Sequence, residues 1–210
     1  MSPEIWQAII AAIGVIISAA IPFIFRRYQD EPAGVMSHDE FISYAKRIPT
    51  TIRAWARVEK AAAELIESTC IDRILPLTSV NGVRDSTHAT VHREWREPPW
   101  TQEYEYEDVP LDSDYNDRLY RASRDGHHHF KTEEAPNTVI GRFYEMEAVV
   151  SSVWVMVAKL ENDHTGQVAY FYFSASTHSY EEICADTIRQ IYNLKAEMLR
   201  ALEGAGWVSI

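Results

Sequence analysis

Apolar residues recur along this chain with two different periods, and the switch between them outlines the domain. Ile52, Trp55, Val58, Ala62, Leu65 and Ile66 follow one another at steps of three or four, a single helical stripe over residues 51–69. A shorter helix, FISYAKRI, precedes it, with Ser37 and Glu40 spaced as a capping box and Pro49 as its stop. The period then drops to two. IDRILPLTSV (71–80) and HATVHREW (88–95) read as strands joined through the Asn81–Gly82 turn, with Ala89, Val91 and Arg93 on one side. Residues 96–113, carrying Pro98, Pro99 and Pro110, read as a long irregular insertion. DYNDRLYRAS (114–123) is expected to be helical behind an Asp112 or Ser113 cap, HHHFKT (127–132) a strand, and TVIGRFYEME (138–147) a turn and short helix. AVVSSVWVMVAKLE (148–161) and QVAYFYFSAS (167–176) form the strongest strand pair, turning at NDHTG. The last element is long. Ile183, Thr187, Ile191, Leu194, Met198 and Leu202 form its stripe, Thr177 or Ser179 its cap, Glu181 and Glu182 its acidic first turn, and Gly204 its end.

The first residues obey neither period. Ile5–Phe25 contains no charged side chain. At ~1.5 Å per residue such a helix crosses a ~30 Å hydrocarbon core. Trp6 suits one interface, and Arg26 and Arg27 close the other. A cleaved signal peptide has its basic residues before the apolar run, and here they follow it. The expectation is a single-pass anchor, with Ile5, Trp6, Phe25, Arg26 and Arg27 as its lipid contacts. Because positive charge stays inside, the N-terminus is expected outside and the body in the cytoplasm. The divisions are then 1–28 anchor, 29–50 linker and short helix, 51–204 folded domain and 205–210 tail.

Charge narrows the partners. The chain carries a net −11. Residues 1–27 hold only Glu4, Arg26 and Arg27, so the remainder carries −12 (−11 less +1), a body that phosphates repel. Nucleic acid is therefore not an expected partner. Cys70 and Cys184 are too few for a disulfide framework and suit a reducing compartment; apolar neighbours at helical spacing suggest that both are buried. No nucleophile motif, metalloprotease motif or phosphate loop is present, so no catalytic residue is assigned.

The order of elements, and above all FYEMEAVVSSVWVMVAKLENDHTGQVAYFYFSAS followed by SYEEICADTIRQIYNLKAEMLRAL, resembles a GAF domain over about residues 51–203. Tyr144 near a short helix, the Val150–Ser152 step into an apolar strand, the Gly166 turn, Phe171 and Phe173, and the closing helix carry the likeness. A PAS-like sheet is the structural runner-up. The resemblance implies an α+β fold, an antiparallel sheet with flanking helices. It also implies a small molecule held between sheet and covering loops, and terminal helices (51–69 and 179–203) that pair between subunits or contact a partner protein. It departs from known ligand-binding members. The N-K-F-D-E motif of cyclic-nucleotide binders is absent, and neither cysteine stands where a bilin attaches or where the methionine sulfoxide reductases of this fold need several. No cofactor is assigned.

Trp95, Trp100, Tyr104 and Tyr115, in and beside the insertion, are candidate ligand contacts because concave sites are lined by such rings. Tyr144 joins them by the resemblance. His127 and His129 share one strand face and complete the candidate set. Without further placed ligands they do not define a metal site, and a solvated edge strand is their default reading. Two functions follow. One is a membrane-anchored sensory or regulatory module, non-catalytic, that binds a small ligand or a partner protein, as the aromatic insertion favours. The other is an interaction subunit of a larger membrane or viral assembly with a ligand-free GAF-like fold, favoured because the short tail leaves no output domain.

Overall fold

A computed structural model describes residues 37–50, 55–81, 86–97, 106, 108–162 and 166–205. The proposed anchor at residues 1–28 lies outside the described residues. No helix among the described residues is long and apolar enough to cross a membrane.

The elements run α1 (His38–Thr50), α2 (Trp55–Ser68), β1 (Arg73–Asn81), β2 (Ser86–Val91), β3 (Trp95–Arg96), β4 (Val109–Pro110), α3 (Ser113–Asp125), β5 (His127–Lys131), a 3-10 turn (Thr132–Glu134), α4 (Val139–Met146), β6 (Ser151–Asn162), β7 (Gln167–Thr177) and α5 (Ala185–Gly204). The sheet order is β4-β2-β1-β7-β6-β5, with β3 also paired to β1, and the strand pairs among the described residues are antiparallel. β5 is an edge, as read from the histidine run.

Local chemistry explains the boundaries. Asp112 caps α3 by accepting from the Tyr115 N–H at 2.9 Å, and its second oxygen accepts from Val139 N–H at 2.7 Å, so one carboxylate starts α3 and steadies the start of α4. Gly126 ends α3 at φ 84°, a left-handed turn that suits glycine. Thr138 caps α4 through the Gly141 N–H at 3.1 Å. A Cβ at Gly141 would lie 1.9 Å from the Ala135 carbonyl oxygen, so only glycine fits that close approach.

The final helix starts later than its sequence suggests. It begins at Ala185, with Cys184 as its cap position, and Glu181 and Glu182 lie before it. Thr177 Oγ1 accepts from Ser179 N–H at 3.0 Å and Ser179 Oγ from Glu181 N–H at 3.1 Å. These local bonds hold the backbone in turns instead of a first helical turn. A second correction concerns the cysteines. Both are free, Cys70 is half-buried, and Cys184 is exposed, because the expected helical face does not extend to it.

Alternation gives the sheet two chemically distinct faces. One presents Val153, Val155, Phe171, Phe173 and Ala175, all fully buried, and is covered by α1, α2 and α5. Ile191, Leu194 and Met198 of α5 and Val58, Ala62 and Leu65 of α2 are buried in that layer. The other presents Ser152, Trp154, Met156, Tyr172, Ser174 and Ser176, and lies beneath α3, α4 and the 3-10 turn. In β6 one residue, Val157, is extra: Met156 pairs with Tyr172 and Ala158 with Phe171.

Candidate functional site

The space between the second face and its covering helices holds a cavity of about 50 Å³. Leu75 and Leu77 of β1, Ala89 and Val91 of β2, and Tyr115, Ile140, Phe143 and Tyr144 from the cover make it mostly apolar. Its polar end is built by Arg73 and Glu147. At roughly 10–15 Å³ per water-sized occupant, the space suits a group of a few heavy atoms.

Arg73 comes from the first position of β1 and is 5% exposed. Its Nε donates to Glu94 Oε1 at 2.8 Å, and its Nη1 forms an ion pair with Glu147, just past the end of α4. Arg96 Nη1 lies 3.4 Å from the same Glu94 oxygen. Two guanidinium and two carboxylate groups therefore balance, which limits the cost of desolvating each. The guanidinium of Arg73 also lies 5.9 Å from the Tyr106 ring centroid, within cation–π range. The bridge from Arg73 to Glu147 links the sheet to the helix that roofs the cavity.

Two hydroxyl clusters lie beside it. In the first, Tyr144 donates to Ser152 Oγ at 3.0 Å, bonds Ser174 Oγ at 3.0 Å, and accepts from Trp154 Nε1 at 2.8 Å. Ser152, Ser174 and Ser176 bond among themselves at 2.8–3.1 Å. In the second, the hydroxyls of Tyr115 and Tyr172 meet in a hydrogen bond. Burial pushes both phenols above their ordinary range, so both remain protonated near neutrality. These networks fix the aromatic rings that wall the cavity: Tyr115 packs on Trp154 at 4.5 Å between centroids, and Phe130 stacks on Tyr144 at 5.8 Å.

The candidate residues read from the sequence divide. Tyr115 and Tyr144 line the cavity together. Trp95 pairs with Ile74, shares its face, and packs on Trp55 of α2 at 5.5 Å, so it stands on the opposite side of the sheet. His127 and His129 pair with Val155 and Val153 and share that side as well. His127 Nδ1 meets the Tyr192 hydroxyl of α5 at 2.9 Å. His128, paired with Trp154, is the histidine on the face beneath α3 and α4, 5.5 Å from the Phe130 ring, and burial lowers its pKa. Trp100 and Tyr104 lie outside the described residues. Among the described residues no group of three or more His, Cys, Asp or Glu is arranged to hold a metal.

Sequence reasoning missed Arg73, Glu94 and Glu147. A charged residue at the start of an otherwise apolar strand was the available signal for Arg73. Nothing local marks the two glutamates as its partners.

No protein-family model matches the sequence, and no curated relative does. Solved structures do match. The GAF domain of a two-component sensor histidine kinase from Bacillus halodurans aligns with a TM-score of 0.50 at 10% identity, covering 81% of this chain and 96% of its own. The phycoerythrobilin-bound GAF domain of a cyanobacterial phytochrome gives 0.50 at 11%, covering 78% and 94%. The blue-light-absorbing form of the Thermosynechococcus elongatus PixJ GAF domain gives 0.51 at 16%, covering 71% and 85%. At these identities the likeness concerns the fold, and the fold of this chain is that of a GAF domain.

Proposed function

We propose that this chain is a non-catalytic GAF-fold regulatory module, held at a membrane by residues 5–25, that responds to a small and mostly apolar ligand. The Arg73–Glu147 bridge across the cavity carries the reading. A ligand entering there must displace α4 from β1 or β2, and the bridge converts that displacement into a change at the start of β6. Only a ligand that binds the displaced arrangement better can shift the balance. The non-catalytic reading rests on the serine cluster that lies behind Tyr144, beside the cavity. The hydroxyls of Ser152, Ser174 and Ser176 are bonded to one another and to Tyr144 instead of to an imidazole or carboxylate base. The uncharged run and its basic flank support membrane attachment.

A second reading, an interaction subunit without a ligand, is favoured by one observation. Trp154, Tyr172, Phe130 and Tyr115 fill most of the covered face themselves. The test is a thermal-shift screen of the full-length protein in detergent micelles against metabolites of fewer than about ten heavy atoms. The regulatory reading expects a shift with at least one compound, lost in Ala89→Val, which narrows the cavity. No shift across the panel, together with stoichiometric co-purification of one protein, establishes the second reading in its place.

A further inference from the structure

The two cysteines sit at the ends of two helices that pack together. Cys70 stands two residues past the end of α2, and its Sγ–H reaches the Glu182 carbonyl at 3.9 Å. Cys184 occupies the cap position of α5, and its Sγ lies 3.4 Å from the Thr187 hydroxyl. A neighbouring bond, Ser68 Oγ to Gln190 Oε1 at 2.6 Å, pins the end of α2 to the first turns of α5. The Thr187 hydroxyl lies against both thiols, so they face a common junction, one exposed and one half-buried.

We propose that Cys184 and Cys70 are a thiol modification site for low-molecular-weight disulfides, with Cys184 as the attacking thiol and Cys70 as the resolving one. The surroundings differ in the sense this division requires. The Thr187 hydroxyl and the backbone N–H groups of Thr187 and Asp186 pull the Cys184 thiol below its usual range, against the nearby Asp186 charge. Burial pushes the Cys70 thiol up, aided by the charge of Glu181, with the Thr187 hydroxyl opposing. The Cys184 thiolate attacks one sulfur of the small disulfide and expels the other as a thiolate, leaving a mixed disulfide. Cys70, deprotonated, then attacks Sγ of Cys184 and expels the second small thiol. The protein loses two electrons and two protons, and the small disulfide gains them as two thiols. The product bond closes a loop on the order of a hundred residues and locks α2 to α5, independently of any ligand in the cavity.

The test treats full-length protein with oxidised glutathione, then with dithiothreitol. A non-reducing peptide map should contain the Cys70–Cys184 bond, and Tm should rise by roughly 10 °C and return on reduction. Cys70→Ser protein should stop with one glutathione on Cys184, while Cys184→Ser should take up glutathione at Cys70 at least about tenfold more slowly. Bonds formed only between chains, an unchanged Tm after oxidation, or faster reaction at Cys70 overturns the proposal. Should a serine variant fail to fold, the wild-type peptide map and Tm decide the matter alone.

Discussion

The same two strands, β6 and β7, build two unlike layers. Toward α1, α2 and α5 they offer Val153, Val155, Phe171, Phe173 and Ala175, with no side-chain hydrogen bond to satisfy. Toward α3 and α4 they offer Ser152, Trp154, Tyr172, Ser174 and Ser176, whose polar atoms bond across the strands and to Tyr144 and Tyr115. The first layer is stabilised by burial, which is non-directional. The second adds directional bonds, each worth a modest net amount but costly to leave unmade. The apolar layer beneath α1, α2 and α5 holds the domain together, whereas the hydroxyl-bearing layer fixes the shape of a cavity wall.

The largest test of that contrast is Phe173→Ala. Phe173 is fully buried in the apolar layer, and its loss should cost about 3–5 kcal/mol by chemical denaturation. The cavity should keep any ligand it has, since the opposite face is untouched.

Next is a pH effect at the border of the apolar layer. His92 lies against Phe171 and bonds Thr78 Oγ1 at 2.7 Å. Burial first, then the Lys46 charge, lower its pKa from 6.5 to about 4. Above pH ~6.5 the ring is neutral in both folded and unfolded chains, and stability is complete. As pH falls toward 4 the unfolded chain binds the proton first, so stability is lost, on the order of 3 kcal/mol in all. His128 and His129, also lowered chiefly by burial, act in the same direction. Denaturation midpoints measured at pH 7.5 and 4.5 should converge in part for His92→Gln; an unchanged difference assigns the effect to other groups.

Ser174→Ala asks whether the second layer depends on its directional bonds. It removes one hydroxyl and leaves Ser152, Ser176 and Tyr144 each short of a partner, so about 1–3 kcal/mol should be lost. A cost below about 0.5 kcal/mol would reduce the contrast to shape alone. Ala89→Val is the smallest change and has the opposite sign. Two added methyl groups enter the cavity and should stabilise the protein by about 0.5–2 kcal/mol.

Much of the fold was legible because short-range rules set it. The alternation of β6 and β7, the α5 stripe and the Asp112 cap all act within a few residues of chain. The late start of α5 was not, because Thr177 and Ser179 offer the same oxygen to a turn as to a helix cap. β3 and β4, two residues each, are too short to show a period. For the site, parity correctly puts His127 and His129 together, but a period of two does not say which face meets α4. Tyr115 was legible as an aromatic beside the insertion, and Tyr144 only through the resemblance. The Arg73–Glu94–Glu147 cluster was not, since its members meet only after β1, the Glu94 segment and the end of α4 converge.

The extra residue in β6 has a consequence for how this domain tolerates change. Beyond Val157 the strand's odd and even positions trade places, so Leu160 and Asn162 turn inward while Lys159 stays in water. Removing Val157 alone would leave Met156 and Ala158 adjacent, opposite Tyr172 and Phe171, in an unbroken ladder, so Leu160 and Asn162 would still face inward and Lys159 outward. Loss of the bulge residue should therefore be tolerated, whereas a single insertion or deletion that moves the register of that arm should turn its inward residues out.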